Sequence, residues 1–358
     1  MHVRHALAAL IVAAVLAIAP GAPSPLAAAE PGLWSAGGTT LRGSASGYVV
    51  TTAGGERPLA LPAGVEVEEL FALRQRAFLS GRKAPQRTAP GDTPRSDLYL
   101  ALLDAEGLHP LPSPAADAEN GRLRENAVPL LSDADELEGL VWLEGTDRQS
   151  YAVRAATWNG QAWSAAETVA AAAPGSQLAL SGTTLADGAK LLVWSRFDGH
   201  DDEIVYSRWT GGRWSATLPL AADNAVPDIT PAVVAVPGGA LATWSRYDGH
   251  DYRVVISRFD GRKWSAPAWA GPAGSTYPAL LRTGRPDQAT RSAGAAAWLT
   301  YASAAVRGWV VVELDAAGGA LRRGEIADAP AARPALAAQP SGAIRLLWAT
   351  SAKSVELQ

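Results

Sequence analysis

Two turns of the chain combine carboxylate, imidazole and guanidinium side chains at the same spacing. The first reads SRFDGHDDE (residues 195–203) and the second SRYDGHDYR (residues 245–253). Carboxylate oxygens are the ligands that calcium prefers, and imidazole adds affinity for zinc and other transition metals. The pattern predicts a ligand or cation site with Asp198, Asp201, Asp248 and Asp251 as calcium ligands. The full set of candidate binding residues is Arg196, Asp198, His200, Asp201, Arg246, Asp248, His250 and Asp251.

A structural interpretation of these turns competes with the site. Asp-Gly forms a tight hairpin turn, and Asp201 or Asp251 can cap the backbone amides of the next strand. Residues that recur in both copies of a repeat usually serve the shared fold. The structural interpretation is favoured, but a turn does not require His200 or His250, so the ligand hypothesis stays open.

Both turns belong to longer repeats, because residues 193–216 and 243–266 match without a gap. In each copy, a run containing Trp is followed by a turn, a second β-rich run and a Gly turn that closes with Trp-Ser-Ala. Short strands bounded by Gly and Asp turns indicate antiparallel hairpins. A four-stranded antiparallel sheet that recurs about every fifty residues is typical of a propeller blade. The sequence therefore predicts an all-β propeller.

Tryptophan marks the repeat along the chain. One Trp per predicted blade recurs at similar spacing, at Trp142, Trp194, Trp244, Trp298 and Trp348. Aromatic side chains at fixed repeat positions are typical of a core between blades, and we assign Trp142, Trp194, Trp214, Trp244 and Trp264 to it. No repeat rule requires Trp209, Trp269 or Trp309, so these three are predicted to be exposed contact residues.

The domain organisation follows from the repeat. Residues 1–29 form a leader and residues 30–358 one propeller domain, with blades at residues 126–173, 174–225, 226–275 and 276–325. Residues 326–358 form the first part of the last blade, and residues 30–36, which repeat a blade ending, complete it. Such a shared blade closes the ring and removes exposed sheet edges. Residues 37–125, with a Pro-rich loop at 81–95, hold one irregular blade or two short ones, so we expect six blades, with seven as the alternative.

The N-terminus indicates export. Arg4 precedes an apolar stretch at residues 6–19, and Ala27-Ala28-Ala29 forms a cleavage site, so the pattern predicts a secretory signal peptide that is too short to span a bilayer. No second long apolar run predicts a membrane anchor. With no cysteine, hydrophobic burial rather than disulfides must provide stability. A formal net charge of −4 gives no electrostatic signal for nucleic acid or anionic lipid.

The turns that close the repeats resemble a known motif. Residues 207–214 read SRWTGGRW, residues 257–264 read SRFDGRKW, and residues 156–163 read ATWNGQAW. The Asp-box of sialidase-like propellers (BNR repeats) reads S-x-D-x-G-x-x-W, and the first two segments match its Ser, Gly and Trp, with Trp209 or Phe259 at the Asp position. Residues 126–358 therefore resemble this family, with degenerate boxes. The resemblance implies that the box turns lie on the face opposite the ligand-binding face.

Catalytic residues do not transfer from this resemblance. Sialidases of the family hold the substrate carboxylate with three arginines and use a Tyr–Glu pair and an Asp acid. Here the most regular arginines occur in repeat-related pairs, and the family's late tyrosine has no counterpart, since no Tyr follows Tyr301. We therefore assign no catalytic residue. No Ser-His-Asp order, Gly-rich phosphate loop or metalloprotease helix occurs either.

The sequence favours a monomeric, non-catalytic binding module in the periplasm or outside the cell. Its expected partner is a glycan or an extracytoplasmic protein, which one face of the propeller contacts, and calcium is the cofactor that the turns suggest. Aromatic faces beside Asp, Arg and His suit sugars, because sugars stack on their apolar faces while their hydroxyls need polar partners. The alternatives are a sialidase-like glycoside hydrolase with diverged catalytic residues, and a structural component of a cell-surface assembly.

Overall fold

The computed structural model describes residues 33–355 except 37, 45–46, 53, 75, 87–94, 115–121, 133, 148, 174, 176, 222–224, 283–293, 331, 339–343 and 349–350. The predicted signal peptide, residues 1–29, lies outside the described residues. Every regular element in the described part is a β-strand, and the sheets are built from antiparallel neighbours. The all-β propeller is confirmed. In the part of the chain that the structure describes, no helix is long and apolar enough to cross a membrane.

The strands form seven antiparallel groups, which we number blades 1 to 7 along the chain. Blade 1 contains β1 (Leu33–Ala36), β2 (Thr39–Ser44), β3 (Gly47–Thr52) and β4 (Gly55–Leu59). Blade 2 contains β5 (Val65–Ala72), β6 (Ala77–Gln86), β7 (Arg95–Leu103) and β8 (Leu108–Leu111). Blade 3 contains β9 (Leu123–Leu131), β10 (Leu137–Gly145), β11 (Tyr151–Thr157) and β12 (Glu167–Ala170). A single parallel pair, Ser96 with Leu123, joins blades 2 and 3 into one sheet.

The remaining blades follow the same order. Blade 4 contains β13 (Gln177–Thr184), β14 (Lys190–Phe197), β15 (Asp202–Thr210), β16 (Arg213–Trp214) and β17 (Leu218–Pro219). Blade 5 contains β18 (Asp228–Val236), β19 (Gly239–Tyr247), β20 (Tyr252–Phe259) and β21 (Ala268–Trp269). Blade 6 contains β22 (Ser275–Arg282), β23 (Ala295–Ser303), β24 (Gly308–Asp315) and β25 (Ala320–Ile326). Blade 7 has three described strands, β26 (Ala335–Ala338), β27 (Ile344–Trp348) and β28 (Ser351–Val355).

The ring closes differently from the shared blade that we expected. The strand at Leu33–Ala36 pairs with β2, with Trp34 opposite Leu41, and not with the strands of blade 7. Short β-rich segments after Trp34 give this strand a hairpin partner within its own blade. Among the described residues, blade 1 is therefore a complete sheet whose first strand packs beside β26. This arrangement gives seven groups, the alternative number stated above.

The Pro-rich loop is also shorter than predicted. We expected a loop at residues 81–95, but β6 continues to Gln86 and β7 begins at Arg95. The pairs Gly81–Tyr99 and Lys83–Asp97 extend the ladder through the first part of that segment. Residues 87–94 lie outside the described residues.

The first strands of blades 3 to 6 each contain a bulge that faces the aromatic residue of the blade. Two residues lie opposite one at Asn126-Ala127, Ala179-Leu180, Thr230-Pro231 and Tyr277-Pro278, which face Trp142, Trp194, Trp244 and Tyr301. The first residue of each bulge has a φ of 54° to 56°. A bulge leaves one residue out of the ladder, so it accepts proline. In blade 6 the residue that faces the bulge is Tyr301, so our assignment of Trp298 to the equivalent position is wrong.

Hydrogen bonds connect the first strands of successive blades. The Trp34 indole in blade 1 donates to the Glu68 carbonyl in blade 2 (3.0 Å). The Glu68 carboxylate accepts from the Asn126 amide in blade 3 (2.9 Å), and Asn126 Oδ1 accepts from the Leu180 amide in blade 4 (2.8 Å). The hydroxyl of Ser181 then accepts from the Val233 amide in blade 5 (3.0 Å). This chain of bonds spans blades 1 to 5 along their first strands.

Hydrophobic clusters fill the spaces between neighbouring blades. Trp142, Trp194 and Trp244 are fully buried in three of these clusters, so their predicted core role is confirmed. The exposed role predicted for Trp309 is wrong. Trp309 lies with Trp298 in the core between blades 6 and 7, where its indole donates to the Pro330 carbonyl (2.9 Å).

We predict that Asn126→Ala lowers the free energy of unfolding by about 1–3 kcal/mol, because the buried amide of Leu180 loses its acceptor. Alanine is also disfavoured at a positive φ. Asn126→Gly serves as the matched control, since it removes the bond but tolerates the backbone, and it should cost less than alanine. Denaturant unfolding of the three proteins measures both effects, and equal stability of all three would contradict the role of this bond.

Candidate functional site

The two Asp-Gly-His-Asp turns are held by their own first carboxylates. Asp198 Oδ1 accepts from the amides of His200 (2.8 Å) and Asp201 (3.2 Å), and these bonds hold the pKa of Asp198 below its usual value. Asp248 Oδ1 accepts the equivalent bonds, at 2.9–3.0 Å, and its pKa is lowered by them in the same way. Asp198 and Asp248 therefore act as the turn caps, whereas the structural interpretation had assigned the caps to Asp201 or Asp251.

The other candidate residues are not gathered into one site. His200, His250 and Asp251 are exposed, whereas Asp201 and Arg196 are half-buried. Within the described residues, no group of three or more His, Cys, Asp and Glu side chains is placed to hold a metal. The structure thus does not bring Asp198, Asp201, Asp248 and Asp251 together as a ligand set, and ligand binding by these turns stays a hypothesis.

Arg246 already has a partner in the protein. Its guanidinium donates to both carboxylate oxygens of Asp228 (2.9 and 2.8 Å), and both side chains are buried. The guanidinium also lies over the Trp244 ring, with its central carbon 5.6 Å from the ring centre. Bidentate Arg–carboxylate pairs are strong and geometrically specific. Arg246 therefore stabilises the interior of blade 5.

Glu203, which belongs to the neighbouring blade 4, lies close to the Arg246–Asp228 ion pair. Burial, followed by the negative charges of Asp228, Asp201 and Asp198, raises the pKa of Glu203 to about 8, and Arg246 offsets this only in part. One carboxyl oxygen of Glu203 is buried without a hydrogen-bond partner among the described residues. The folded protein therefore keeps this carboxyl protonated in a pH range where an ordinary glutamate is ionised.

We predict that Asp198→Ala and Asp248→Ala each lower the melting temperature, because each removes the acceptor of two turn amides. Asp198→Asn and Asp248→Asn retain an acceptor oxygen and should stay close to the wild type. Differential scanning calorimetry tests this prediction. Alanine variants that melt like the wild type would show that the turns do not need their caps.

We predict that Glu203→Gln becomes more stabilising as the pH rises. Since the folded-state pKa is about 8 and the ordinary value is 4.5, the wild type loses stability as the pH rises between these values. The amide has no proton to lose, so the melting-temperature difference between variant and wild type should grow from pH 5 to pH 9. A constant difference across that range would contradict the raised pKa.

A separate pocket of about 500 Å³ opens between blades 3 and 4. It lies at the end of the blades where β9 turns into β10 and β13 into β14, on the same side as the turns at residues 158–163 and 209–214. This is the opposite side from the ligand-binding face that the resemblance implied. Its aromatic lining consists of Trp158 from blade 3 and of Trp209 and Trp214 from blade 4. All three indoles are partly exposed. Three Trp side chains on one concave surface are a feature of a binding pocket.

Three charged side chains line this pocket, namely Glu138, Glu167 and Lys190. The Lys190 ammonium contacts the Glu138 carboxylate and donates to the Leu131 carbonyl (3.0 Å). Glu167 Oε1 accepts from the Trp214 indole (3.1 Å) and so fixes the orientation of that ring. Lys190 is 5% exposed, whereas Glu138 and Glu167 reach solvent. The charged groups of the lining that reach solvent are therefore the two carboxylates.

The pocket exists because blade 3 departs from the repeat at two positions. In the aligned repeats, Ala155 corresponds to Tyr206 of blade 4, and Thr157 corresponds to Arg208. Between blades 4 and 5, Tyr206 packs against Phe259 and Trp264, with ring centres 6.4 and 5.9 Å apart. Blade 3 places an alanine where that ring would lie, so the equivalent space between blades 3 and 4 is open.

The arginine at the second position connects blades elsewhere. Arg208 donates to the Gly261 carbonyl of blade 5 (3.1 Å), and Arg258 donates to the Ala316 carbonyl of blade 6 (2.9 Å). Each guanidinium thus reaches from one blade to a turn of the next. Thr157 is too short to make this contact, and it lines the open pocket instead.

Side-chain hydrogen bonds hold the turns that close blades 4 and 5. The hydroxyls of Ser207 and Ser257 donate to the carbonyls of Ser215 and Ser265 (2.9 and 2.8 Å). In blade 5, Asp260 Oδ1 accepts two amides of the turn, at 2.8 and 2.9 Å. The capping carboxylate therefore follows the expected Asp position by one residue, which leaves that position free for the aromatic Phe259.

Sequence reasoning found part of this pocket. Trp209, which was predicted to be an exposed contact residue, is partly exposed and lines the pocket. Trp214, which we assigned to the core, packs against the hydrophobic cluster between blades 3 and 4 and also lines the pocket. Glu138, Glu167, Lys190 and Trp158 were missed. The detectable signal was the loss of Tyr and Arg at positions 155 and 157 in otherwise matching repeats. Trp269, as predicted, is 49% exposed.

No protein-family model matches the sequence, and no curated protein matches it significantly. Among solved structures, a protein of unknown function from Dyadobacter fermentans is similar, with a TM-score of 0.51 and 13% identity over 84% of this chain and 97% of that one. A six-bladed propeller lectin from Aleuria aurantia has a TM-score of 0.47 and 12% identity, over 84% and 95% of the two chains. An ulvan lyase has a TM-score of 0.48 and 10% identity, over 84% and 76%. At these identities the similarity concerns the fold alone.

Proposed function

We propose that the protein is an exported glycan-binding module whose binding site is the pocket between blades 3 and 4. The observation that carries this proposal is the open space beside Trp209 and Trp214, whose counterparts Phe259 and Trp264 are covered by Tyr206 in the next interface. Indole rings facing an open pocket provide stacking surfaces for the apolar face of a sugar. The predicted signal peptide supports export.

The polar lining supports the same ligand class. A sugar ring carries hydroxyl donors around its edge, and the carboxylates of Glu138 and Glu167 supply acceptors at the pocket wall. A volume of about 500 Å³ lies within the range of small-ligand pockets. Aromatic stacking combined with a few placed acceptors therefore suits one or a few sugar units better than a flat protein partner.

Binding is supported better than hydrolysis. Glycoside hydrolysis requires two carboxyl groups that are free to act on one bond. Here the Glu138 carboxylate contacts Lys190, and the Glu167 carboxylate accepts the Trp214 indole. Within the pocket lining, the Glu138–Lys190 pair leaves Glu167 as the one carboxylate without a cationic partner, which favours binding over a two-carboxylate reaction. The degenerate Asp-boxes support a distant relationship to sialidase-like propellers, without their catalytic residues.

We predict that Ala155→Tyr abolishes glycan binding, because the new ring fills the pocket as Tyr206 fills the next interface. A glycan array and calorimetric titration with a hit from that array measure the effect. Ala155→Ser is the matched control, since it leaves the space open and should bind like the wild type.

Ala155 is 1% exposed and belongs to the core cluster between blades 3 and 4, so the melting temperature of Ala155→Tyr is measured first, and a value close to the wild type shows that the ring enters the pocket without disturbing that core. Binding should also persist in EDTA, since no metal is needed for stacking. A folded Ala155→Tyr protein that binds its glycan normally would contradict this site, and binding lost only in EDTA would move the site to the Asp-Gly-His-Asp turns.

A further inference from the structure

The interface between blades 4 and 5 shows which chemical groups cover this kind of aromatic pair. The Arg208 guanidinium lies over the Phe259 ring, with its central carbon 6.0 Å from the ring centre. The Tyr206 ring contacts both Phe259 and Trp264. A flat ring and a cation thus occupy the space together. Cations are attracted to aromatic faces by the negative potential above the ring.

The pocket between blades 3 and 4 has aromatic residues at the same two repeat positions, but without the ring and the cation that cover them in the next interface. Trp209 and Trp214 replace Phe259 and Trp264, while Ala155 and Thr157 supply neither ring nor charge. Indole binds a cation more strongly than a phenyl ring does. The pocket therefore offers a better cation site than the interface in which the protein places its own guanidinium.

The charges in the pocket also favour a cationic ligand. Its charged lining consists of two carboxylates, Glu138 and Glu167, and one ammonium, Lys190. Lys190 is almost fully buried, and its ammonium contacts the Glu138 carboxylate and donates to the Leu131 carbonyl. One negative charge is left without a cationic partner in the lining. An anionic sugar would be repelled, whereas a cationic group would find both a carboxylate and an indole face.

We propose that the pocket selects an amino sugar with a protonated amine. The sugar ring takes the place that Tyr206 has in the interface between blades 4 and 5, and the ammonium takes the place that Arg208 has there. This inference rests on the proposed glycan-binding function and specifies its ligand class. The ammonium contacts the face of Trp209 or Trp214 and the Glu167 carboxylate. The sugar ring takes the space above Ala155.

The test uses the full mature chain and three soluble oligosaccharides of equal length. These are a glucosamine tetramer, an N-acetylglucosamine tetramer and a galacturonate tetramer, titrated by calorimetry. We expect the glucosamine tetramer to bind roughly three- to tenfold more tightly than the N-acetylated one, which is the size of a partly exposed cation–π contact with a nearby carboxylate. The galacturonate tetramer should bind most weakly.

Glu167→Gln is the diagnostic variant, because its amide oxygen can still accept the Trp214 indole while the charge is removed. We expect the ratio of the dissociation constants of the N-acetylated and glucosamine tetramers to fall toward one in this variant. Glu56→Gln makes the same charge change in blade 1, where Glu56 is exposed and pairs with Arg42, and should leave the preference intact.

The outcomes separate this inference from the function on which it rests. Equal binding of the amine and N-acetyl tetramers, with both lost in Ala155→Tyr, would overturn the amine preference and keep the glycan pocket. Preferred binding of the galacturonate tetramer would also overturn the inference. If no saccharide binds, on the array or in titration, the glycan function fails as well.

Discussion

Sheets that radiate from a common axis leave spaces that widen toward the outside, and the structure depends on filling them. Protein interiors reach crystal-like packing densities, so an unfilled gap loses contacts on both of its walls. Along the first strands, the bond that the Asn126 amide donates to Glu68 and the bond that the Leu180 amide donates to Asn126 hold neighbouring blades together. Farther out, large side chains such as Tyr206 and Arg208 fill the space. An interface that side chains fill is structural, whereas an interface that they leave open can hold a ligand.

Much of the fold could be predicted from the sequence, because the repeat carries both the strand pattern and the Trp positions. Blade closure could not, since Trp34 has the same local sequence whether it pairs with β2 or with the C-terminal strands, and pairing between distant segments leaves no local signal. Trp298 and Trp309 were misplaced for a related reason. In blade 6 the bulge of β22 faces Tyr301, three residues after Trp298, and the spacing of the Trp residues does not show which aromatic residue faces the bulge.

The candidate site was predicted less well, because sequence reasoning searched for what the repeats share. Asp198 and Asp248 recur because each turn needs a carboxylate to hold its amides. Arg246 has a different task from its counterpart Arg196, since only blade 5 places an aspartate, Asp228, beside it. The pocket depends on what blade 3 lacks. Ala155 and Thr157 look unremarkable alone, and they gain meaning only beside Tyr206 and Arg208.

The exchange of Tyr and Arg for Ala and Thr at equivalent positions has an evolutionary consequence. A duplicated blade inherits a backbone that already holds its neighbours, so truncating two side chains creates a cavity lined with indoles while the strand pairing remains. Specificity can then diverge through the few residues that border the gap, such as Glu167 and Lys190. New binding sites in such a ring can therefore arise by subtraction, in one interface at a time, while the other interfaces maintain the stability of the whole.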